Sequence, residues 1–314
     1  MRRVVVSAPA SIANLGCLFD IAAIAIDYAR DKVIVEEVEN SGIEVISLSK
    51  EVPGGKANTA FKAAEAILRR LDMIDNIGLR IIVVKGVKKG IGIGSSGATA
   101  AATVAAIKEL LKEDISNEEL IQAAGEGESV AAGSPHYDNV SASLLGGITI
   151  IVNQRPMKVI RILPPRELSL ILITPKVVTR VEQDKGKTQI MRSILPDKIS
   201  LKEAVEQNCA VAEFMTALMK GDLELLGEAI SKGGIVERVR SRYIPHYWTL
   251  KEISLKAGGL GANISGAGPS IFVIVEKKES IDVAHKIEEY IKKINVKADV
   301  VVTQPDNKGA IREE

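Results

Sequence analysis

A glycine-rich segment between a predicted strand and a predicted helix is the feature that most limits how this chain can fold. Residues 79–87, LRIIVVKGV, are rich in branched apolar side chains and predict a strand, whereas residues 98–111, ATAAATVAAIKELL, predict a helix. The intervening GIGIGSSG, residues 90–97, contains the spacing GxGxxG. Glycines before a helix let successive backbone N–H groups face an anion, so this segment is a candidate phosphate-binding loop.

Two familiar nucleotide-binding loops do not match the surroundings of this segment. A dinucleotide-binding unit needs a second strand that ends in an acidic residue about 20 positions on, but Glu113-Asp114 leads into another predicted helix. A Walker loop needs a glycine five residues before GK[ST], and Gly186-Lys187-Thr188 has Val181 there, in what we expect to be a solvated loop. A phosphate cradle of another design is favoured, and close packing of the helix on the strand is the alternative.

The serines and glutamates near the glycine-rich segment predict a magnesium site. Ser95 and Ser96 stand at the start of the helix, where we expect one hydroxyl to cap it and the other to coordinate Mg²⁺ beside the β- and γ-phosphates. Mg²⁺ also needs a carboxylate, and Glu126 and Glu128 lie at the end of the next predicted helix. Solvent-facing positions for both glutamates are the alternative.

The local patterns in the rest of the chain predict strands, turns and loops. A first strand is predicted at residues 4–6 and ends at Pro9, and two extended runs around Asn40-Ser41-Gly42 predict a hairpin. GSPHYDNV, residues 133–140, is expected to be a loop. The polar end of the chain, residues 305–314, is expected to be frayed.

The order of the elements indicates an α+β protein with two lobes. Ser116 and Ser200 each stand three residues before a glutamate, which is the spacing of a capping box at a helix start. The pattern changes from alanine-rich helices to a new strand after Pro164-Pro165. We therefore place the boundary near residue 155, with domains at residues 1–155 and 156–314.

Composition excludes several classes of partner. The 41 Lys and Arg against 40 Asp and Glu leave a net charge of +1, and aromatic residues are 3%, so neither electrostatics nor stacking favours nucleic acid. No run approaches the roughly 18 apolar residues that a membrane span needs. The only cysteines, Cys17 and Cys209, match no disulfide or zinc spacing, which indicates a reducing compartment. We expect a cytoplasmic protein that binds a small molecule.

Three separated motifs resemble those of the GHMP kinase superfamily of ATP-dependent small-molecule kinases. They are PASIANLGCLFD at residues 9–20, GIGIGSSGA at residues 90–98 and ISGAGPS at residues 264–270. Because the three motifs span nearly the whole chain, they are far more specific than one glycine loop. Within the superfamily the sequence is most similar to the homoserine kinases, through GSPHYDNV, the LGG that follows it, and arginines before Leu195-Pro196 and Ile244-Pro245.

The resemblance implies a fold and a reaction. The expected fold is α+β, with an N-terminal lobe like ribosomal protein S5 and a ferredoxin-like C-terminal lobe that enclose ATP and the substrate. The expected reaction transfers the γ-phosphoryl group of ATP, with Mg²⁺, to the side-chain hydroxyl of L-homoserine. The product would be O-phospho-L-homoserine for threonine synthesis.

The resemblance also implies roles for individual residues. Asp20 would pair with the ammonium of homoserine, and Arg192 and Arg240 would hold its carboxylate. Glu128 is preferred to Glu126 as the magnesium ligand beside Ser96, because it stands eight residues before His136. The expected homoserine contacts are Asn14, Asp20, His136, Asn139, Arg192, Arg240, Gly266 and Gly268. The expected ATP contacts are Asn58, Lys88, Lys89, Gly90, Ile91, Gly92, Ile93, Gly94, Ser95, Ser96, Gly97 and Ala98.

The predicted catalytic set is Asn139, Asp138, Ser96 and Glu128. Phosphoryl transfer has a loose transition state, so in-line placement of the hydroxyl and neutralisation of the phosphate charge do most of the work. Asn139 is expected to orient the hydroxyl. Asp138 is the candidate for a base, although the resemblance to homoserine kinases implies that none is required.

Two other functions remain open. One is a GHMP kinase that acts on another small alcohol, such as shikimate, mevalonate or a sugar, and these would leave Asp20 and the two arginines without a role. The other is a non-catalytic relative that binds a ligand on the same fold. The expected partner is a small molecule, with no nucleic acid and no membrane, and a homodimer is one candidate assembly.

Overall fold

The elements alternate between strands and helices along the whole chain. The structure is a computed structural model that describes residues 2–132, 135–176 and 187–313, and within these ranges it has eleven strands and ten α-helices. The strands β1 to β11 are Arg3–Ala13, Ala22–Val38, Gly42–Ser47, Gly78–Val84, Ile148–Gln154, Met157–Ile162, Leu168–Pro175, Gly261–Ile264, Ile271–Glu276, Ala298–Thr303 and Ile311–Arg312. The helices α1 to α10 are Thr59–Arg70, Ser95–Leu111, Asn117–Ala132, Tyr137–Leu145, Lys187–Ser193, Leu201–Lys220, Leu223–Ser231, Gly234–Arg240, Tyr247–Lys256 and Ser280–Lys293.

A mixed sheet of seven strands forms the first lobe. Its main path runs β11-β1-β2-β4-β3, and β5 pairs with both β2 and β6. The central helix α2 packs on β1 and β2, and α1 packs on α3. Ala100, Ala101, Ala102 and Ala106 of α2 are buried, and their small side chains let the helix lie close to the sheet.

An antiparallel sheet with the order β10-β7-β9-β8 forms the second lobe. With the helices between its strands, the chain order is β-α-β-β-α-β, which is the ferredoxin-like arrangement. Helices α9 and α10 cover one face through residues such as Leu250 and Ile287. On the other face, Phe214 and Phe272 share one apolar cluster with Ile24 and Ile26 of the first lobe, so the two lobes have a common core.

Strand pairing changes from one sheet to the other between β6 and β7. β5 and β6 pair with each other in the first sheet, and β7 begins the second. The last strand, β11, then returns to the first sheet and pairs with β1. A division of the chain at residue 155 remains a prediction.

Three of the local predictions were wrong because pairing partners distant in sequence decided the outcome. β1 does not end at Pro9 but continues to Ala13 through a register shift, and its partner β2 stays alongside it. No hairpin forms at residues 40–42, because β3 pairs in parallel with β4 after the chain has crossed over through α1. The C-terminal segment is ordered, since Ile311 pairs with Ser7 and Asp306 forms an ion pair with Arg30.

The predicted helix boundaries were mostly confirmed. Asn58 caps α1, and Ser116 and Ser200 form the two predicted capping boxes. GSPHYDNV is not a loop throughout, because α4 begins at Tyr137; residues 133 and 134 lie outside the described ranges. In the part of the chain that the structure describes, no helix has both the length and the apolar character that a bilayer crossing requires.

Candidate active site

A cleft of about 360 Å³ lies where the two lobes meet. We call residues 90–97 the phosphate loop and residues 265–270 the SGAGPS loop, and both line the cleft. The other walls come from the segment that joins β1 to β2, from α3 and α4, and from the ends of α5 and α8. The three motifs of the sequence thus meet at one cavity.

The phosphate loop requires its glycines for two reasons. Gly90, Gly92 and Gly94 have φ angles of 81°, 88° and 66°, which side chains rarely allow. A Cβ atom at Gly92 would lie 2.4 Å from the carbonyl oxygen of Ser265, and one at Gly94 would lie 2.2 Å from the Ser11 hydroxyl. Close packing against neighbouring residues therefore explains some of the glycines in the phosphate loop. The same loop also borders the open cleft.

Ser95 and Ser96 do not cap α2, contrary to the prediction. The helix begins at Ser95 and follows Gly94, which has no side chain to accept from the first N–H groups. The Ser95 hydroxyl donates to the carbonyl of Val87 at 2.9 Å, and the Ser96 hydroxyl donates to Glu128 Oε1 at 2.8 Å. The helix start thus has no side-chain cap, and its N–H groups remain able to bind an anion.

Glu128 has the features of a metal ligand. Its side chain is buried, and Oε2 has no hydrogen-bond partner among the described residues. Burial raises the pKa of Glu128 to about 8, against the lowering effect of the hydrogen bond from Ser96. Glu126 instead forms an ion pair with Arg70 away from the cleft, so the preference for Glu128 agrees with the geometry.

Asp138 and Asn139 lie side by side at the start of α4. Asp138 is buried, and this burial, with the nearby charge of Asp20, raises its pKa to about 7. Its Oδ1 accepts a hydrogen bond of 2.8 Å from the backbone N–H of Asn139. The Asn139 side-chain oxygen accepts a hydrogen bond of 2.9 Å from Ser11, which leaves the NH₂ group of Asn139 as a donor for a substrate oxygen.

Asp20, His136 and Arg192 form one polar cluster at the cleft, which Asp20 and His136 line. Arg192 Nη2 lies 2.6 Å from Asp20 Oδ2, and Arg192 Nη1 lies 3.2 Å from His136 Nε2. Asp20 has a φ angle of 58°, which is uncommon for a residue with a side chain. The structure thus brings together a predicted ammonium ligand and a predicted carboxylate ligand.

Arg240 lies beside this cluster and is almost fully buried. Its Nε donates to the carbonyl of Met191 at 3.1 Å, and its Nη1 donates to the carbonyl of Gly266 at 2.9 Å. Burial lowers the pKa of Arg240 to about 10, so the guanidinium stays charged at neutral pH. The ring of Phe19 stacks 5.1 Å from its central carbon.

Asn14 connects the first motif with the SGAGPS loop. Its Nδ2 donates to the carbonyl of Gly266 at 3.2 Å, and its Oδ1 accepts from the backbone N–H of Asp20 at 3.1 Å. Gly266 and Gly268 have φ angles of 54° and 70° and line the cleft. These contacts hold the segment that carries Asp20 against the loop that faces Arg240.

Some predicted nucleotide contacts have other partners in the structure. Asn58 caps α1 through its oxygen and donates to the carbonyl of Pro53 through its nitrogen, although it lines the cleft. Ile91, Gly97 and Ala98 do not line it. Lys88 and Lys89 are exposed at its mouth, and Lys89 donates to the carbonyl of Glu51.

Two lysines of the cleft were missed from the sequence. Lys187 does not lie in a solvated loop, because its ammonium donates to the carbonyls of Gly90 and Gly268; residues 177–186 lie outside the described ranges. Lys85 forms a buried ion pair with Asp31 and donates to Thr99. The sequence signal was a lysine within the GKT triplet in one case and directly after β4 in the other.

The fold and the site define a kinase of the GHMP type, and comparison with protein families agrees. Residues 58–147 match the GHMP kinases N terminal domain, and residues 214–293 match the GHMP kinases C terminal domain. The expected two-lobed α+β fold is therefore confirmed.

Comparison with individual proteins identifies the family within the GHMP kinases. The chain is 37% identical over 301 residues to a homoserine kinase of Sulfolobus acidocaldarius, covering 93% of this chain and 95% of that one. A homoserine kinase of Methanococcus vannielii is 35% identical, with 92% and 93% covered. The crystal structure of homoserine kinase from Cytophaga hutchinsonii has a TM-score of 0.88 at 31% identity and covers 100% of this chain and 98% of that one. The chain belongs to the homoserine kinase family.

Proposed function

We propose that this protein transfers the γ-phosphoryl group of ATP to the side-chain hydroxyl of L-homoserine and forms O-phospho-L-homoserine. The observation that carries the proposal is a group of opposite charges at the same cleft as the phosphate loop. A carboxylate, Asp20, and two guanidinium groups, Arg192 and Arg240, match the ammonium and the carboxylate of an amino acid. Shikimate, mevalonate and sugars have no ammonium group for Asp20.

The geometry supports transfer by positioning and charge neutralisation. The triphosphate would lie on the N–H groups of the phosphate loop and of the start of α2, where no side chain caps the helix. The amino-acid end of homoserine would lie at the Asp20 cluster, and the amide of Asn139 would orient the hydroxyl between the two. During transfer the bond from the γ-phosphorus to the bridging oxygen of ADP breaks, and a bond to the homoserine oxygen forms.

The residues around Ser96 fit a bound magnesium ion. The Ser96 hydroxyl and the unpartnered Oε2 of Glu128 are hard oxygen donors at the start of α2. In the described ranges no cluster of three or more His, Cys, Asp and Glu side chains is present, and kinase sites commonly hold Mg²⁺ with one or two carboxylates together with the phosphates. Mg²⁺ bound there would neutralise charge on the phosphates.

The hydroxyl proton has two routes in this geometry. It can pass to the buried carboxylate of Asp138, whose pKa of about 7 suits a base at neutral pH, or to an oxygen of the transferred phosphoryl group. Asp138→Asn separates the routes, because loss of a base lowers kcat on the order of 100-fold or more, whereas loss of a neighbouring charge alone has a smaller effect.

Several finer predictions accompany the proposed reaction. The product would serve threonine synthesis, and the enzyme would act in the cytoplasm on small molecules rather than on nucleic acid. That the protein forms a homodimer stays a prediction, and the mass measured by analytical sedimentation would test it.

An assay that couples ADP release to NADH oxidation tests the proposed function. The purified protein is given Mg-ATP and, separately, L-homoserine, shikimate, mevalonate and galactose. We expect turnover with homoserine to exceed the others by several orders of magnitude, and Asp20→Asn to weaken homoserine turnover. Turnover of another alcohol with none of homoserine, or no turnover of any acceptor, would contradict the proposal.

A further inference from the structure

Lys187 forms a bridge between two loops that face the cleft. It begins α5, and its Nζ donates to the carbonyl oxygen of Gly90 at 3.0 Å and to the carbonyl oxygen of Gly268. Gly90 belongs to the phosphate loop and Gly268 to the SGAGPS loop. An ammonium group has three N–H donors, so one remains for another partner after these two bonds.

The charge of Lys187 has no neutralising partner in the described ranges. No carboxylate described there lies within 4.0 Å of its ammonium, and the neighbouring charge that acts on it is the cation of Arg240. Burial is the main cause that lowers the pKa of Lys187, to about 7. A half-buried cation beside a second cation is a binding position for an anion, because an anion restores the balance of charge.

The other cations that line the cleft are already engaged or are exposed to solvent. Lys85 is paired with Asp31, and Lys88 and Lys89 are exposed at the mouth. Arg240 lies beside the cluster that contains Asp20, which we call the acceptor end of the cleft, and it is expected to hold the carboxylate of the substrate there. Among the residues that the structure describes, Lys187 is therefore the half-buried lysine of the cleft that has no carboxylate partner and is available to the phosphate chain.

The neighbours of Lys187 indicate which phosphate it would contact. In the SGAGPS loop, the carbonyl of Gly266 accepts from Asn14 and Arg240 at the acceptor end, and the carbonyl of Gly268, two residues on, accepts from Lys187. The Lys187 ammonium thus bonds to the phosphate loop through Gly90 and lies close enough to Arg240 of the acceptor end for the two charges to interact. A phosphate group held there would lie next to the acceptor end, which is the position of the transferred phosphate.

The geometry points to Lys187 as a catalytic residue that binds the γ-phosphate of ATP through its ammonium group. This assignment rests on the proposed kinase function. Lys187 would hold the γ-phosphate in line with the acceptor hydroxyl and would stabilise the negative charge that develops on its oxygens. ADP has no γ-phosphate and cannot make this contact, so the interaction distinguishes ATP from ADP.

Calorimetric titration tests this with two ligands, the non-hydrolysable analogue AMP-PNP and ADP, each with Mg²⁺. We expect Lys187→Met to weaken AMP-PNP binding on the order of 10-fold to 100-fold and ADP binding by less than about 3-fold, as loss of a charge-assisted hydrogen bond to one phosphate requires. Lys187→Arg keeps the charge and is expected to retain most of the AMP-PNP affinity. Lys176→Met removes an exposed, ion-paired lysine as a matched control and is expected to change neither affinity.

Other outcomes would overturn the assignment. Equal weakening of both ligands by Lys187→Met would show that Lys187 only ties the two loops together, and unchanged affinities would show no phosphate contact. A raised dissociation constant for homoserine with unchanged AMP-PNP binding would place Lys187 at the acceptor. If Lys187→Met does not fold, as judged by circular dichroism, Lys187→Gln takes its place. Failure of the wild-type protein to bind AMP-PNP would refute the proposed function instead.

Discussion

Replacing Glu128 with glutamine removes a buried ionisable group from the cleft and leaves the size of the side chain almost unchanged. The glutamine oxygen still accepts the hydrogen bond that Ser96 donates to Oε1. The difference between the two proteins is therefore mainly the free energy of ionising a buried carboxyl group. This free energy follows from the pKa in the folded state.

The sign of the effect follows from proton binding. Burial raises the pKa of Glu128 from 4.5 to about 8, so between these pH values the folded state binds more protons than the unfolded state. The free energy of unfolding of the wild-type protein therefore falls as the pH rises through this window. At about 1.4 kcal/mol per pH unit, the loss is about 3 kcal/mol at pH 7 and approaches 5 kcal/mol above pH 8. Glu128→Gln does not ionise and has no such loss.

Urea unfolding with EDTA and without nucleotide measures this difference. At pH 5 both side chains are neutral in the folded state, and we expect the two free energies of unfolding to agree within about 1 kcal/mol. At pH 8 we expect Glu128→Gln to be the more stable by roughly 3 to 5 kcal/mol. Asp138, whose pKa is also raised, is present in both proteins, so its contribution cancels to a first approximation.

Two further measurements connect this difference with the metal. Mg²⁺ added at pH 8 should stabilise the wild-type protein and leave Glu128→Gln unchanged. Turnover of Glu128→Gln should fall on the order of 100-fold at saturating Mg-ATP, since charge stabilisation of the phosphates is lost. A variant that is less stable than the wild type at pH 8, or a difference that is the same at both pH values, would refute the reasoning.

Three other substitutions have distinct expected effects. Ser96→Ala should lower kcat about 10-fold to 100-fold and lower the free energy of unfolding by about 1 kcal/mol, the net value of one hydrogen bond. Steady-state kinetics and urea unfolding measure these effects, and a large loss of stability with normal turnover would contradict the prediction. Arg240→Leu should raise the homoserine KM about 10-fold to 100-fold and also lower stability by about 2 kcal/mol, because the carbonyl of Met191 loses its side-chain donor and that of Gly266 keeps only Asn14. An unchanged KM would exclude a carboxylate contact. Asp31→Asn should lower the free energy of unfolding by about 3 to 5 kcal/mol, since it leaves the ammonium of Lys85 buried without its carboxylate. Equal stability of the two proteins in urea would show that the ion pair is dispensable.

The sequence predicted those features that depend on local chemistry. Helix starts at Ser116 and Ser200 follow from hydrogen bonds within a few residues, and the structure has them. The convergence of the three motifs on one cleft was predicted through the resemblance, because motifs shared with a family bring its fold with them. Asp20 and Arg192 were named in this way and lie 2.6 Å apart.

The features that depend on distant parts of the chain could not be predicted from local patterns. The turn residues before β3 are compatible with a hairpin, and only the crossover through α1 places β3 beside β4. The polar C-terminal segment is ordered because β1 offers it an open edge. The GKT triplet draws attention to Lys187 but does not indicate where it lies, since its two partners are 97 and 81 residues away.

A crystal structure with Mg²⁺, AMP-PNP and L-homoserine tests the central claim most directly. The account predicts the β- and γ-phosphates within hydrogen-bond distance of N–H groups from residues 92–97. It also predicts the homoserine ammonium beside Asp20, with its hydroxyl facing the γ-phosphate. A triphosphate bound elsewhere with the phosphate loop empty, or homoserine turned with its ammonium away from Asp20, would contradict it.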